Sequence, residues 1–260
     1  MPEVTVSIAQ MNVRDGDPRK NWATVQELVA EAARRGSDMI VLPELWDNGF
    51  ALEKSKEFAS TLSGGLFAQV ATLARSAKIV ILGSMLEKRG VGVYNCCAVF
   101  TPVSGVTGAY RKIHLFEGMN EGQYLSPGEA PLTTDLAWGP TSIAICYDLR
   151  FPELLRRYAV DNSKMVVIPA QWPATRINHW RTLLQARAIE NQYFVIGCNR
   201  VGEYNGSTFS GHSMIVDPTG NIVAELGDTE NIMTVKINTD IVDQVRAGFP
   251  VLQDRRPSAY

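Results

Sequence analysis

Three residues that can cooperate in catalysis each come at or near the end of an apolar run. They are Glu44 in "MIVLPEL", Lys112 in "AYRKIHLF" and Cys146 in "SIAICYD". A thiol is an intrinsic nucleophile, but its ordinary pKa of roughly 8.5 leaves only a few per cent as thiolate at neutral pH, so it needs a base. A carboxylate can accept that proton and return it to a leaving amine, and an ammonium group can stabilise an oxyanion. Together the three side chains suit attack on an amide-like carbon.

Each of the three also has a purely structural interpretation. Free cysteine is among the most buried residue types, so a cysteine that ends an apolar strand more often packs in a core than acts in catalysis. Cys97 and Cys198 keep that interpretation. A glutamate or lysine after a strand usually lies on a solvated rim. Residue types and spacing alone therefore leave both interpretations open.

Predicted strands and helices alternate along the chain and must position these residues. Val- and Ile-rich runs predict strands at 4–13, 38–45, 78–85, 94–102, 108–113, 141–147, 165–172, 194–202 and 232–238, and a hairpin with its turn at 217–220. Helices are predicted at 65–77, 152–161 and 178–192, and also between an N-cap at Asp17 and Gly36. Residues 114–140 show little periodicity. This pattern is typical of the α/β class, in which strand ends assemble sites at a common edge.

Composition narrows the domain organisation and the partners. The 260 residues carry 25 basic and 27 acidic side chains, so the net charge of -2 points to neither nucleic acid nor an anionic membrane. No linker or charge block divides the chain, which predicts a single domain over 1–260. No apolar stretch reaches the roughly 18 residues of a membrane span and no signal-like N-terminus is present, which predicts a cytoplasmic protein. We expect a small-molecule ligand.

Other chemistries have weaker support. Four cysteines are too few for a disulfide framework in a chain of this length, so we expect free thiols, and no Cys/His spacing predicts a metal site. No glycine-rich nucleotide motif follows a strand. The three histidines, His114, His179 and His212, leave a Cys/His hydrolase open, although none lies in a context that resembles a cysteine-protease signature.

Three segments carry a family resemblance. "LPELWDNGF", "YRKIHLF" and "ICYDLRFPEL", in this order, resemble the signature segments of the nitrilase (carbon-nitrogen hydrolase) superfamily, and the similarity runs over essentially the whole chain. The resemblance implies Glu44 as general base, Lys112 as the catalytic lysine and Cys146 as nucleophile, with no metal or organic cofactor. It also implies a second glutamate in the loop after the lysine, for which Glu121 is the best match and Glu117 the alternative. The implied fold is a four-layer αββα sandwich.

The resemblance further implies how the reaction would proceed. Cys146 attacks the amide carbonyl while Glu44 accepts the thiol proton, and Lys112 with the backbone N–H of Tyr147 binds the oxyanion. Ammonia leaves, and water hydrolyses the resulting thioester. The family commonly dimerises through helices near the nucleophile and through the C-terminal segment, so we expect a homodimer or higher homo-oligomer. The end of this chain, "FPVLQDRRPSAY", is equally compatible with an arm that crosses to a partner and with a frayed tail.

Residues 169–202 resemble the omega-amidase branch, whose members hydrolyse the terminal amide of 2-oxoglutaramate or 2-oxosuccinamate. Such substrates carry a carboxylate, which a planar guanidinium matches well. Arg150, Arg176 and Arg200 are candidates for this contact. Aromatic residues that could shape a narrow pocket are Trp172, Trp180, Phe50 and Tyr147. Arg187 and Glu190, three residues apart on a predicted helix, are interpreted as a structural pair.

Two other functions stay open. The same trio would serve another carbon-nitrogen hydrolase that acts on a nitrile, an N-carbamoyl compound or a different amide. Alternatively, the chain is a non-catalytic ligand-binding thiol protein with an inert Cys146.

Overall fold

Two β-sheets and the helices that cover them position the candidate residues. The computed structural model describes residues 3–259, so Met1, Pro2 and Tyr260, the last residue of the C-terminal segment "FPVLQDRRPSAY", lie outside it. In chain order the strands are β1 (Glu3–Gln10), β2 (Met39–Val41), β3 (Val80–Leu82), β4 (Ser84–Arg89), β5 (Gly92–Thr101), β6 (Gly105–Arg111), β7 (Thr133–Leu136), β8 (Gly139–Ile143), β9 (Met165–Ala170), β10 (Phe194–Asn199), β11 (Val201–Tyr204), β12 (Ser207–Ser210), β13 (Met214–Val216), β14 (Ile222–Glu225) and β15 (Asn231–Asn238).

The helices complete the element order. The α-helices are α1 (Pro18–Arg34), α2 (Ser55–Phe58), α3 (Gly65–Ala77), α4 (Glu121–Tyr124), α5 (Pro152–Val160), α6 (Ile177–Asn191) and α7 (Asp240–Gly248). Short 3₁₀ helices span Leu52–Lys54, Glu117–Met119, Cys146–Arg150, Ala174–Arg176 and Pro257–Ala259. The predicted start of α1 is confirmed, since the Asp17 side chain accepts a hydrogen bond from the Lys20 N–H and Pro18 is the first helical residue.

The two larger sheets are mixed. One has the order β15-β1-β2-β3-β5-β4, with β6 also paired to β5, and the other has the order β14-β13-β10-β9-β8-β7. Strands β1, β2 and β3 run parallel, as do β8, β9 and β10. Strands β11 and β12 form a separate hairpin.

The sheets pack face to face with helices outside, so the predicted four-layer αββα sandwich is confirmed. One core cluster combines apolar side chains of both sheets, among them Val6 and Val41 of the first and Val167 of the second. The Cys198 thiol of β10 donates to backbone carbonyls of β1 and β2 across this interface. Alternate residues such as Ile40 pack on α1 and α3, while α5 and α6 cover the second sheet.

The structure differs from the sequence prediction in several places. The predicted strand 78–85 is two strands, β3 and β4, separated at Gly83, where a Cβ atom would lie 2.7 Å from the Cβ of Leu42. The weakly periodic segment 114–140 contains β7, α4 and a 3₁₀ helix, and the β11–β12 hairpin and α7 were not predicted. The predicted strand 141–147 ends earlier, at Ile143.

Candidate active site

Cys146 lies in a sharp turn beyond the end of β8. It begins the 3₁₀ helix Cys146–Arg150 and has a left-handed backbone conformation, with φ of 45°. A non-glycine residue held there costs about 1 to 3 kcal/mol, so the surroundings must enforce it. The side chain is 7% exposed and reaches the wall of a cavity. The turn therefore places Cys146 where the apolar core meets the cavity wall.

The thiol of Cys146 rests in its protonated form. Burial raises its pKa well above the usual range, and the negative charge of Glu44 raises it further, while the Lys112 ammonium lowers it. The thiolate that a nucleophilic reaction needs must therefore form by transfer of the proton to a neighbouring base.

Lys112 connects two buried carboxylates beside this thiol. Its Nζ donates to Oε1 of Glu44 at 2.8 Å and to Oε1 of Glu121 at 2.7 Å, and all three side chains are fully buried. Glu117, the alternative second glutamate, is exposed. The geometry thus brings together Glu44, Lys112 and Cys146 from three distant segments and adds Glu121, as the sequence predicted.

Lys112 supplies the positive charge between the two carboxylates of this cluster. Burial lowers the pKa of Lys112, but the charges of Glu121 and Glu44 outweigh burial and hold that pKa well above its usual range. Burial raises the pKa of Glu121, and Lys112 opposes that shift. Lys112 therefore stays an ammonium. Two of its three protons are committed to the carboxylates, which leaves the third for a group in the cavity.

Two residues that the sequence prediction missed orient the Glu44 carboxylate. Asn95 Nδ2 donates to Oε1 of Glu44 at 2.8 Å, and the Gln171 N–H donates to Oε2 at 3.0 Å. Oε1 thus accepts from both Asn95 and Lys112, whereas Oε2 accepts from the Gln171 N–H. The less saturated Oε2 has a lone pair left for a proton. The only sequence signals were a lone asparagine inside "YNCCAVF" and a glutamine after an apolar run.

Glu44 is also fixed through its own backbone. Leu45, the next residue, has a left-handed backbone with φ of 43°, and its N–H donates to the Ser84 Oγ at 2.8 Å. The Gln171 side-chain amide donates to the Glu44 carbonyl at 2.7 Å. The carboxyl ends of β2, β3 and β9 therefore build this part of the site, as expected for strand ends in α/β proteins.

A cavity of about 280 Å³ opens above the cluster. Lys112, Glu121, Cys146 and Gln171 lie in its wall. The predicted pocket residues that also line it are Phe50, Tyr147, Arg150, Trp172 and Arg176. A site of this size with a few convergent polar groups is typical of small-molecule binding.

Two predicted pocket residues lie elsewhere. Arg200 is fully buried, pairs with Asp15 at 3.0 Å and donates to Oε1 of Gln171 at 2.8 Å, so its guanidinium is committed to the scaffold. Trp180 packs in the core and donates its indole N–H to the His212 carbonyl. Both expectations were wrong, because neither side chain is among those that line the cavity.

Arg150 and Arg176 bring two cations to the cavity. The Arg150 guanidinium lies 4.6 Å from the ring centroid of Trp172, and that of Arg176 lies 5.6 Å from the ring centroid of Phe116. Within residues 3–259, neither forms an ion pair with a carboxylate. Burial lowers the pKa of Arg150, and the Arg176 charge lowers it further. Such a pair is ready to receive an anion.

The remaining predictions concern residues outside the cavity. None of His114, His179 and His212 is among the residues that line it, which weighs against a Cys/His hydrolase. Arg187 pairs with Glu190 at 3.0 Å, so that structural pair is confirmed. All four cysteines are free, as predicted.

Residues 3–259 contain neither a cluster of metal-ligating side chains nor a membrane-spanning helix. No group of three or more His, Cys, Asp or Glu side chains among residues 3–259 is arranged to hold a metal ion. The helices in this part of the chain are all too short or too polar to cross a membrane.

Comparison with known proteins identifies the family. The carbon-nitrogen hydrolase family matches residues 5–247. The chain is 36% identical to a 2-oxoglutaramate amidase of Bacillus subtilis, over 98% of this chain and 99% of that protein. It is 35% identical to a deaminated glutathione amidase of Mus musculus, over 93% of this chain and 80% of that protein. These relatives support the predicted omega-amidase-like branch.

Solved structures agree with the fold. A CN-hydrolase superfamily protein from Xanthomonas campestris, whose structure has an arsenic adduct in the active site, superimposes with a TM-score of 0.93 at 31% identity, over 98% of both chains. Saccharomyces cerevisiae Nit3, a member of branch 10 of the nitrilase superfamily, superimposes with a TM-score of 0.90 at 27% identity, over 98% of this chain and 97% of that one. Sequence motifs, sandwich fold and relatives converge on one assignment: the chain belongs to the carbon-nitrogen hydrolase family.

Proposed function

We propose that this carbon-nitrogen hydrolase is an amidase that hydrolyses the terminal amide of a small carboxylate substrate, of the 2-oxoglutaramate or 2-oxosuccinamate type, to the acid and ammonia. The observation that carries the proposal is the cavity itself. The thiol of Cys146 lies beside the buried Glu44–Lys112–Glu121 cluster, and the same wall holds Arg150 and Arg176, which form no ion pair with a carboxylate among residues 3–259. The site thus combines a nucleophile for an amide carbon with cations for a carboxylate.

The first half of the reaction forms a thioester. Cys146 Sγ attacks the amide carbon while Glu44 accepts the thiol proton, and its less saturated Oε2 is suited to receive it. The third proton of Lys112 and the backbone N–H of Tyr147 stabilise the oxyanion. The carbon–nitrogen bond then breaks, Glu44 returns the proton to the leaving nitrogen, and ammonia departs.

The second half reverses the proton movements. Water attacks the thioester carbonyl and Glu44 accepts a water proton. The carbon–sulfur bond then breaks, and Glu44 returns that proton to the departing sulfur, which regenerates the thiol and releases the acid. Glu121 keeps Lys112 in place because it shares the ammonium with Glu44 and accepts the Phe116 N–H at 3.0 Å. Every group in this cycle belongs to the chain or to the two reactants.

Arg150 and Arg176 are the proposed carboxylate contacts, and Trp172 is the surface on which Arg150 rests. Two adjacent guanidiniums also disfavour a substrate that carries an ammonium near its carboxylate. The 2-oxoglutaramate amidases among the relatives, at 36% and 38% identity, support this substrate type.

An ammonia assay over a panel of substrates tests the proposal. The wild-type protein is expected to release ammonia from 2-oxoglutaramate with a kcat/KM at least about tenfold above that for glutamine, because the two differ by a cation next to the carboxylate. Turnover of a nitrile or an N-carbamoyl compound, with none of 2-oxoglutaramate, would instead assign the chain to another branch of the family. A protein that is inert on the whole panel would favour a ligand-binding role.

The same panel tests the proposed contacts of Arg150 and Arg176 with the substrate carboxylate. Arg150→Gln and Arg176→Gln are each expected to raise KM for 2-oxoglutaramate by roughly 10- to 100-fold, the range for a lost hydrogen bond to a charged group, and to leave turnover of a neutral primary amide unchanged. Arg181→Gln, which removes a surface ion pair with Glu225, is the matched control.

We propose a homodimer, formed through α5, α6 and the segment after α7. Val160, Ile189 and Phe249 expose 44%, 53% and 68% of their surface there. The three regions adjoin, since Arg156 donates to the Glu190 carbonyl and Gln192 donates to the Phe249 carbonyl. Large exposed apolar side chains grouped in this way are typical of interaction surfaces.

Light scattering at micromolar concentration tests the dimer. The wild-type protein is expected to have the mass of two chains, and Ile189→Glu is expected to shift it to one chain. Val103→Glu, at an exposed turn between β5 and β6, should leave the mass unchanged. A wild-type monomer would refute the dimer.

We further propose that residues 1–260 form a single domain, which the core cluster shared by both sheets supports. We also propose a cytoplasmic location, with which the four free thiols are compatible.

A further inference from the structure

Asp148 is a fully buried carboxylate two residues after Cys146 that does not line the cavity. Its two oxygens accept four hydrogen bonds. Oδ2 accepts from the Ile145 N–H at 2.9 Å and from the Tyr110 hydroxyl at 2.7 Å. Oδ1 accepts from the His114 N–H at 3.0 Å and also contacts the His114 Nδ1 at 2.8 Å. Carboxylate acceptors of this kind form the stronger class of protein hydrogen bonds.

These four contacts fall on both catalytic segments. Ile145 immediately precedes Cys146, so its bond to Asp148 closes the turn in which Cys146 has its left-handed backbone. Tyr110 and His114 stand two residues before and two residues after Lys112. One side chain therefore fixes the cysteine turn and both flanks of the lysine.

The imidazole of His114 reinforces this arrangement from the protein surface. Its ring stacks on Phe151 with a centroid distance of 3.6 Å and an interplanar angle of 6°. Phe151 directly follows the 3₁₀ helix that Cys146 begins. The His114 side chain is 29% exposed, whereas Asp148 is fully buried, so His114 covers the carboxylate. Its stack on Phe151 is a second contact between the lysine segment and the cysteine segment.

We propose that Asp148, together with His114, is a positioning residue of this active site that sets the distance between the Cys146 thiol and the Lys112 ammonium. This inference rests on the proposed function for its kinetic consequence. Its physical basis is geometric, because the cysteine turn is strained and the hydrogen bonds of Asp148 tie that turn to the residues on both sides of Lys112.

Substitutions at His114 isolate the positioning role. His114→Ala removes the imidazole bond to Asp148, whereas His114→Asn keeps a side-chain N–H donor close to the position of Nδ1. We expect His114→Ala to lower kcat on 2-oxoglutaramate by roughly 10-fold with KM little changed, and His114→Asn to recover most of that loss. Asp148→Asn replaces one acceptor oxygen by an NH₂ group, which then faces the N–H and O–H groups that donate to Asp148. We expect it to lower kcat by about 100-fold, the effect of an error of about 1 Å in the position of a catalytic group.

Alkylation of Cys146 by iodoacetamide gives a second readout that needs no natural substrate. The rate, followed by peptide mass spectrometry, should fall in the same order as kcat, and the fully buried Cys96, Cys97 and Cys198 serve as internal references. Ser163→Ala, which removes a buried 2.7 Å hydrogen bond to the Met165 carbonyl away from the cavity, controls for lost stability alone. It should keep the wild-type alkylation rate even when its melting temperature matches that of His114→Ala.

Each outcome decides the proposal. Slower alkylation in His114→Ala, with recovery in His114→Asn, supports it. Equal alkylation rates in the wild type and both His114 variants overturn it. This result is decisive even if Asp148→Asn fails to fold, because it does not depend on that variant. If the wild type releases no ammonia from any amide of the panel, the proposed function fails, and the alkylation series still decides the positioning role.

Discussion

Cys146→Ala is expected to lower ammonia release from 2-oxoglutaramate by at least about 10⁴-fold, the scale on which loss of a nucleophile acts in a covalent mechanism. The reason is local. The thiol is the only group we assign to attack on the amide carbon, and the buried carboxylates beside it are held by Lys112 and other donors. Alanine leaves a small space in the cavity wall and removes no hydrogen bond that the fold depends on.

A matched substitution separates the nucleophile from core packing. Cys97→Ala truncates another buried thiol, one whose pKa burial raises to about 12. That variant should keep a kcat close to the wild-type value, with any loss confined to the melting temperature. Equal ammonia release from folded Cys146→Ala and from the wild type would contradict the nucleophile assignment.

Glu44→Gln is expected to have the next largest effect, a fall in kcat of roughly 10²- to 10⁴-fold, the usual contribution of a general base. Burial and the Glu44 charge keep the Cys146 thiol protonated at rest, so the reaction depends on a base to remove the proton. A glutamine oxygen can still accept from Lys112 and Asn95, but its NH₂ cannot take a proton and would face the Gln171 N–H. KM should change less than kcat.

The control for Glu44 lies in the loop after the lysine. Glu117→Gln removes the charge of an exposed glutamate and should leave kcat and the melting temperature unchanged. We expect Glu44→Gln to fold, since Lys112 keeps its bond to Glu121, and a thermal melt checks this. A folded Glu44→Gln with the wild-type kcat would remove Glu44 from the mechanism.

The sequence predicts most of the elements, because they depend on local patterns, and it singles out the trio through three recognisable segments. Helix α3 and the start of α1 follow from periodicity and capping, and their predicted bounds agree with the structure. Glu44, Lys112 and Cys146 were found because each follows a strand and lies in one of three recognisable segments. The two largest sheets then bring those strand ends together.

The residues that orient the trio were not predictable in the same way. Asn95 and Gln171 act on Glu44 across 51 and 127 residues of sequence, and no local pattern reports such a contact. Arginines are equally ambiguous in sequence. Arg150 lines the cavity, whereas Arg200 pairs with Asp15 across 185 residues, and only the packing of the two sheets separates their roles.

Covalent catalysis by Cys146 is the central claim, and capture of the acyl group by hydroxylamine tests it most directly. If a thioester forms on Cys146, hydroxylamine added during turnover of 2-oxoglutaramate competes with water and yields the hydroxamate at the expense of the free acid. We predict that the hydroxamate fraction rises with hydroxylamine concentration in the wild type and in Cys97→Ala, and that folded Cys146→Ala forms none. Steady release of ammonia with free acid as the sole product at every hydroxylamine concentration would contradict the account.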